Sequence, residues 1–329
     1  MKKLFIGIDI SKDVFDFCIV DEDAVVLSSK EVLPNTNKGI NEFCKLLTNY
    51  SDYDTWICME HTGHYGYLLA SELAKKKLNF SLINPLEIKN SVGLTRGKND
   101  AIDAYRIAIY ALTNKHKLKA YILPDKDLRK LKTLISTRDG YIKILVQLKN
   151  MLKALEIKNK SVPTMPIINE HIALIKRHEK TIDKIEKQMN EIIKNNQELK
   201  KSFDLINSVI GVGTLTAIKC IVETSNFLTF NDPRKFSCHI GLAPFEHKSG
   251  SSIRGKTKTS PLSNKNLKAI LFKAAATAIQ HDPQLKQYYK RKVEEGKNKL
   301  SVLNAVANKI ILRIFAVIKR SEPYLKLAH

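Results

Sequence analysis

Four carboxylates stand where apolar segments end or a helix begins in the first third of the chain. One apolar run ends at Asp9, a second ends at Glu60, and a third segment carries Asp100 and Asp103 three residues apart. Divalent metal ions that act on phosphates take oxygen ligands, and a two-ion site needs several carboxylates that converge on one point. This combination of residue types indicates a metal-dependent enzyme that cuts or joins nucleic acid.

The predicted elements would bring these four acids together. Hydrophobic alternation and turn residues predict strands over 4–10, 14–20, 24–29, 55–59 and 79–83, and helices over 38–47, 65–77 and about 100–112. Acids at strand ends point out of the carboxyl edge of a sheet, where open α/β sheets bind ligands. Asp100 and Asp103 would share one helix face beside that edge. Taken singly, Asp9 could merely end a strand and Asp100 could merely cap a helix.

The rest of the chain has a helical pattern. Between residues 126 and 201, apolar positions from Ile168 to Ile193 recur every three, four or seven residues, which predicts a helical hairpin or coiled coil. An apolar stripe on a long helix needs a partner, so we expect this segment to mediate self-association into a dimer or tetramer. Residues 244–266 read as a loop, and helices are predicted over 264–280 and 300–320.

These patterns predict an α/β plus all-α fold in three parts. Residues 1–125 form a mixed α/β domain, residues 126–201 a coiled-coil spacer, and residues 202–329 a mostly helical domain.

The charge of the chain indicates a polyanionic partner. Lys and Arg number 55 against 33 Asp and Glu, a net charge of +22. Such an excess does not suit an ordinary metabolic enzyme and is typical of nucleic-acid binding, although a Lys-rich proteome could also produce it. The five cysteines lack zinc-ligand spacing, and the first apolar run is too short for a signal peptide or a membrane span. We therefore expect a cytoplasmic protein without a membrane partner.

Two further segments could contact phosphates. Gly211 and Gly213 form a tight turn between helices that resembles a helix-hairpin-helix, whose backbone N–H groups bind phosphate, although a plain connection fits equally well. The segment beginning at Ser249 offers several hydroxyls among basic residues, namely Lys248, Arg254, Lys256, Lys258, Lys265 and Lys268. This segment could cradle a phosphate or could be a disordered basic loop.

Several motifs together resemble the transposases of the insertion-sequence-110 family. They are Gly7-Ile8-Asp9, Met59-Glu60-x-Thr62-Gly63-x-Tyr65, Lys98-x-Asp100-Ala101-x-Asp103-Ala104, Ile210-Gly211-x-Gly213, Gly241-Leu242-Ala243-Pro244 and Ser249-Gly250. They occur in order over nearly the whole chain. Ser263 and Lys268 depart from the residues usual in the family.

The resemblance implies a RuvC-like, RNase H-type first domain in which Asp9, Glu60, Asp100 and Asp103 hold Mg²⁺ or Mn²⁺. It also implies a helical transposase domain in which Ser249 attacks a DNA phosphate and forms a covalent link. Family members act on double-stranded DNA, at the element ends and the target, and are guided by a structured RNA. Two alternatives stay open: a RuvC-like structure-selective nuclease without a serine intermediate, and a non-catalytic nucleic-acid-binding scaffold.

Overall fold

The structure, a computed structural model, describes residues 2–61, 63–91, 100–243, 245–249 and 253–325; the side chains of residues 30, 31, 100, 101, 245–249 and 253–258 are outside this description. The chain divides into two compact units, Met1–Leu123 and Pro124–His329.

The first unit is built on a five-stranded mixed sheet. Its strands are β1 (Lys3–Ile10), β2 (Val14–Val20), β3 (Val26–Pro34), β4 (Asp54–Glu60) and β5 (Phe80–Ile83), and its α-helices are α1 (Asn37–Leu47), α2 (Tyr67–Lys75), α3 (Pro85–Ser91) and α4 (Asp100–Thr113). The strand order is β3-β2-β1-β4-β5. The first three strands form an antiparallel meander, whereas β4 and β5 run parallel to β1.

Alternation along the strands gives the sheet two buried faces. Leu4, Ile6 and Ile8 of β1 pack with α1 and α2 in one core. Phe5 lies on the other face, in a second core that contains Ala104 and Ala108 of α4. Since successive side chains point to opposite faces, residues in register with these two sets can be assigned to a face directly.

The second unit is mostly helical. Its helices are α5 (Lys126–Lys158), α6 (Met165–Asn195), α7 (Gln197–Asn207), α8 (Thr214–Glu223), α9 (Pro233–Ile240), α10 (Lys265–His281), α11 (Pro283–Glu294) and α12 (Lys299–Arg320), and β6 (Phe245–Ser249) pairs with β7 (Ile253–Lys258) in an antiparallel hairpin. One core joins the base of the α5–α6 hairpin to the helices that follow it. The predicted succession of a mixed α/β part and a mostly helical part is therefore confirmed.

Two predictions from the sequence need revision. The segment 244–266, predicted to be a loop, contains the β6–β7 hairpin, whereas α10 begins at Lys265, close to the predicted start at 264. The apolar stripe of α6 is buried within its own chain: Ile175 and Ile182 pack with Leu145 of α5, and Met189 joins the main core of the unit. The stripe alone therefore does not require a second copy, and self-association stays a prediction.

Among the described residues, one helix is long and apolar enough to cross a membrane, and this helix is α12. Its buried face, which includes Val306, Ile310 and Ile314, belongs to the core of the second unit, as in the core helix of a globular domain.

Candidate active site

Three acidic residues occupy neighbouring register positions on adjacent strands. Asp9 is directly opposite Asp16 in the β1–β2 register. Glu60 is the last residue of β4, one position beyond the parallel pair Ile8–Met59, which places it beside Asp9. Ile8 and Met59 both belong to the core under α1 and α2, so their neighbours Asp9 and Glu60 face the opposite side of the sheet, toward α4.

Small residues two positions along the strands from the acids let α4 pack close to the sheet. Gly7 is in register with Cys18 on one side and Cys58 on the other. A Cβ atom on Gly7 would stand only 2.1 Å from the Ala104 carbonyl oxygen and 2.2 Å from the Ala108 nitrogen. Burial raises the pKa of Cys18 to about 11 and that of Cys58 to about 12, so both thiols stay neutral. The backbone of α4 therefore packs directly on Gly7, between Cys18 and Cys58.

The start of α4 carries the other two predicted acids. Asp103 precedes the residue that contacts Gly7, and its carboxylate accepts a 2.7 Å hydrogen bond from Arg106, one turn later. The side chains of Asp103 and Arg106 are 26% and 17% exposed, so this ion pair is only partly screened by water. Asp100 begins α4, and its side chain is outside the described residues.

Two contacts fix the elements around the acids. The Tyr110 hydroxyl donates a 2.9 Å hydrogen bond to Glu87 and so ties α4 to α3; burial, together with this carboxylate, raises the pKa of Tyr110 to about 12. The Asn35 amide donates to the carbonyl oxygens of Ser11 and Tyr65, both at 3.1 Å. Asn35 therefore joins the turn after β1 to the loop after β4, the two segments that follow Asp9 and Glu60.

The donor set suits a hard divalent cation, because every predicted ligand is a carboxylate. Among the described side chains, which do not include that of Asp100, no three acids, histidines or cysteines converge closely enough to hold a metal ion. The register nevertheless places two of the predicted ligands, Asp9 and Glu60, next to each other on the face that α4 covers.

Asp16 is a candidate site residue that the sequence prediction missed. It is only 7% exposed and lies directly across from Asp9. A buried acid between Phe15 and Phe17 in an alternating strand is the signal that could have revealed it, because its position faces the same side as Asp9.

The predicted nucleophile lies at the distal end of the β6–β7 hairpin. The backbone of Ser249 pairs with Ile253 in the last pair before the connection, and Lys248 pairs with Arg254. The side chains of Ser249, Lys248, Arg254, Lys256 and Lys258 lie outside the described residues.

The motif around Gly241 forms the base of this hairpin. Gly241 ends α9 in a left-handed conformation with φ 78°, where a Cβ would meet the Ser263 side chain at 2.6 Å. The Lys268 ammonium donates a 2.7 Å hydrogen bond to the Gly241 carbonyl oxygen. Lys268, predicted to bind nucleic acid, thus also has a structural role, whereas Lys265 is exposed at the start of α10.

The Gly211–Gly213 turn joins α7 to α8. Gly211 has φ 90°, and a Cβ there would meet the Ala274 carbonyl oxygen of α10 at 2.5 Å, so close packing explains this glycine. Gly213 is exposed and caps α8 without a side-chain hydrogen bond. A phosphate contact at this helix start stays a prediction.

A polar cavity of about 350 Å³ lies between α5, α8 and α10 and was not predicted. The ammonium of Lys219, 7% exposed, forms an ion pair with Asp139. Glu223 pairs with His239 at 2.6 Å; burial would raise the pKa of this carboxyl, but the hydrogen bonds from His239 and Asn264 outweigh that effect and lower it. Lys219, a lysine within the apolar run of α8, is the sequence feature that could have indicated this buried polar cluster.

Comparison with known proteins identifies the class of this chain. Residues 6–155 match a family model of DEDD transposases of the IS110 type, and residues 203–290 match a model described as the transposase IS116/IS110/IS902 family. The chain belongs to the IS110 family of transposases, as the motifs predicted, and is a DNA-recombining enzyme.

The relatives with similar sequences have related activities. A pilin gene-inverting protein of Moraxella bovis is 27% identical over 337 residues, with all of both chains covered. The transposase for insertion sequence element IS1111A of Coxiella burnetii is 23% identical over 351 residues, covering 97% of this chain and 90% of the relative.

Proposed function

We propose that Asp9, Glu60, Asp100 and Asp103 hold Mg²⁺ or Mn²⁺ in a RuvC-like domain, and that Ser249 is the nucleophile of this transposase. The observation that carries the proposal is the register that sets Asp9 beside Glu60 on the face closed by the start of α4. A bound divalent ion would stabilise negative charge on a phosphate during strand cleavage. The carboxylates orient the site, while the Arg106 guanidinium offsets the charge of Asp103.

Ser249 would link the protein to DNA. Its Oγ loses its proton and forms a bond to a backbone phosphorus, the bond from that phosphorus to one deoxyribose oxygen breaks, and the proton released from the serine is balanced by the one that the departing oxygen takes up. An incoming deoxyribose hydroxyl reverses the step on a different strand. Because one phosphate ester replaces another, rejoining needs no external energy source.

The substrates and partners follow from the family and the charge. Double-stranded DNA, as element ends and target, and a structured guide RNA from the element would supply the phosphates for a chain of net charge +22. Ile157, Val162 and Met165 are exposed at the far end of the α5–α6 hairpin and favour self-association there, as a dimer or tetramer. In this proposal the hairpin is the spacer of a three-part cytoplasmic protein.

Metal binding is tested by thermal unfolding with and without Mn²⁺. We expect Mn²⁺ at a hundred times its dissociation constant to stabilise the native chain by about 2.7 kcal/mol. Asp9→Asn and Asp103→Asn should lose this effect, whereas Asp52→Asn, which removes an exposed acid, should keep it. Equal stabilisation of all three variants would overturn the metal site.

The nucleophile is tested by trapping a covalent protein–DNA adduct in the presence of flanking RNA. Ser249→Ala should form no adduct yet bind DNA and RNA within a few-fold of the native chain. Cleavage without an adduct in both proteins would favour the structure-selective nuclease. Binding without cleavage, unchanged by loss of Asp9, would favour the scaffold. An adduct that persists in the variant would move the nucleophile to Ser251 or Ser252.

A further inference from the structure

A basic cleft lies between α11 and α12. It has a volume of about 490 Å³, and its lining includes Gln284, Tyr288, Arg291, Lys309 and Arg313. Of the described residues that line it, none is acidic. Residues 283–320 contain ten Lys and Arg against two Glu, so eight of the 22 net charges fall within this short segment.

One cation in the cleft is held in a fixed position. Arg313 donates to the Asp282 carboxylate at 2.6 Å and to the Gln284 side chain at 2.5 Å, and its guanidinium lies over the Tyr324 ring at 4.8 Å. Asp282 is 2% exposed and neutralises this charge. Arg313 therefore forms a rigid wall and presents a planar array of donors.

The other two cations lack comparable neutralisation. The Lys309 ammonium lies 4.5 Å from the centre of the Tyr288 ring and pairs with no carboxylate among the described residues. Arg291 approaches the same ring at 5.9 Å, and its contact with Glu295 is loose, at 3.8 Å, while Lys292 contacts the other oxygen of that carboxylate at 2.6 Å. Contact with an aromatic ring is worth about 0.5–1 kcal/mol at exposed sites and does not cancel the repulsion between two cations.

We propose that this cleft binds the phosphate backbone of DNA, with Lys309 and Arg291 contacting phosphates and Arg313 as the fixed wall. An anion is the ligand that relieves the repulsion, and DNA is the polyanion on which this enzyme acts. The site requires neither the metal ion nor the serine, so its test is independent of the proposed mechanism.

Salt-dependent DNA binding tests the proposal. The double variant Lys309→Met with Arg291→Gln should reduce the slope of log K against log salt by roughly 2, which is a loss of about ten- to a hundredfold at 0.1 M salt. The matched control, Lys176→Met with Arg177→Gln, removes two exposed charges from α6. An equal loss in the control, or no loss in the cleft variant, would refute the proposal.

A second measurement avoids any change to the cleft charges. A photo-crosslinking amino acid at Gln287, an exposed residue on the rim, should capture DNA from the otherwise native chain. The same amino acid at Lys180 on α6 is the control for random contact. Capture of an RNA of equal sequence but not of DNA, or equal capture at the two positions, would overturn the assignment.

Discussion

Replacing Gly7 by alanine should separate the two halves of the carboxylate site. An added Cβ would stand 2.1 Å from the Ala104 carbonyl oxygen, whereas ordinary contacts begin at 3.4 Å, so α4 must retreat by about 1.3 Å. The atoms in the way belong to the helix backbone and cannot rotate aside. We expect a loss of about 1–3 kcal/mol, which lowers the unfolding midpoint of the first unit by roughly 5–15 °C.

The same shift should also impair function. Asp103 moves with α4, and a displacement of about 1 Å at a catalytic group can cost roughly a hundredfold in rate. Calorimetry with and without Mn²⁺ and a cleavage assay measure the two effects. Gly140→Ala is the control: nothing lies within 4 Å of its Cβ position in α5, so that variant should gain up to about 1 kcal/mol. A Gly7→Ala protein as stable and active as the native chain would refute the close packing of α4 on β1.

Three further predictions concern single side chains. Asp16→Asn should reduce the stabilisation by Mn²⁺, because the charge of a buried carboxylate beside the site is lost; an unchanged shift in unfolding midpoint would exclude this role. Cys58, whose pKa burial raises to about 12, should resist alkylation at pH 8 until the chain unfolds, whereas the half-buried Cys238 should react first in peptide mapping. Although burial opposes it, hydrogen bonding from His239 lowers the pKa of Glu223, so Glu223→Gln should lose stability at neutral pH and differ less from the native chain as acid titrates that carboxyl; a constant difference across an acid titration would contradict this.

The strands of the first unit could be predicted because their side chains alternate between two buried faces. The positions of Asp9 and Glu60 at strand ends followed from that alternation. The pairing of Asp9 with Asp16 could not be foreseen, because it depends on the register of the β1–β2 hairpin. The close approach of α4 to the sheet could not be predicted either, because it depends on the register that aligns the small residues Gly7, Cys18 and Cys58 across three strands.

The β6–β7 hairpin shows where sequence patterns fail. Its residues are mostly Lys, Ser, Thr and Gly, so the sequence lacks the alternating apolar pattern that predicts a strand, although the backbones of β6 and β7 pair. For α6, by contrast, the apolar spacing predicted the buried stripe correctly. The partner of that stripe proved to be α5 and the core of the same chain, which a periodicity cannot specify.

The α5–α6 hairpin is a long arm that is anchored in the core at one end only. Its base is embedded among core residues such as Leu131 and Met189, while its far end, near Val162, stands in solvent. A helix of 33 residues is about 50 Å long, so a rotation of about 10° at the base would carry the far end through roughly 9 Å. A movement of several ångström at the tip would thus correspond to a rotation of only a few degrees in the core that holds the base of the hairpin.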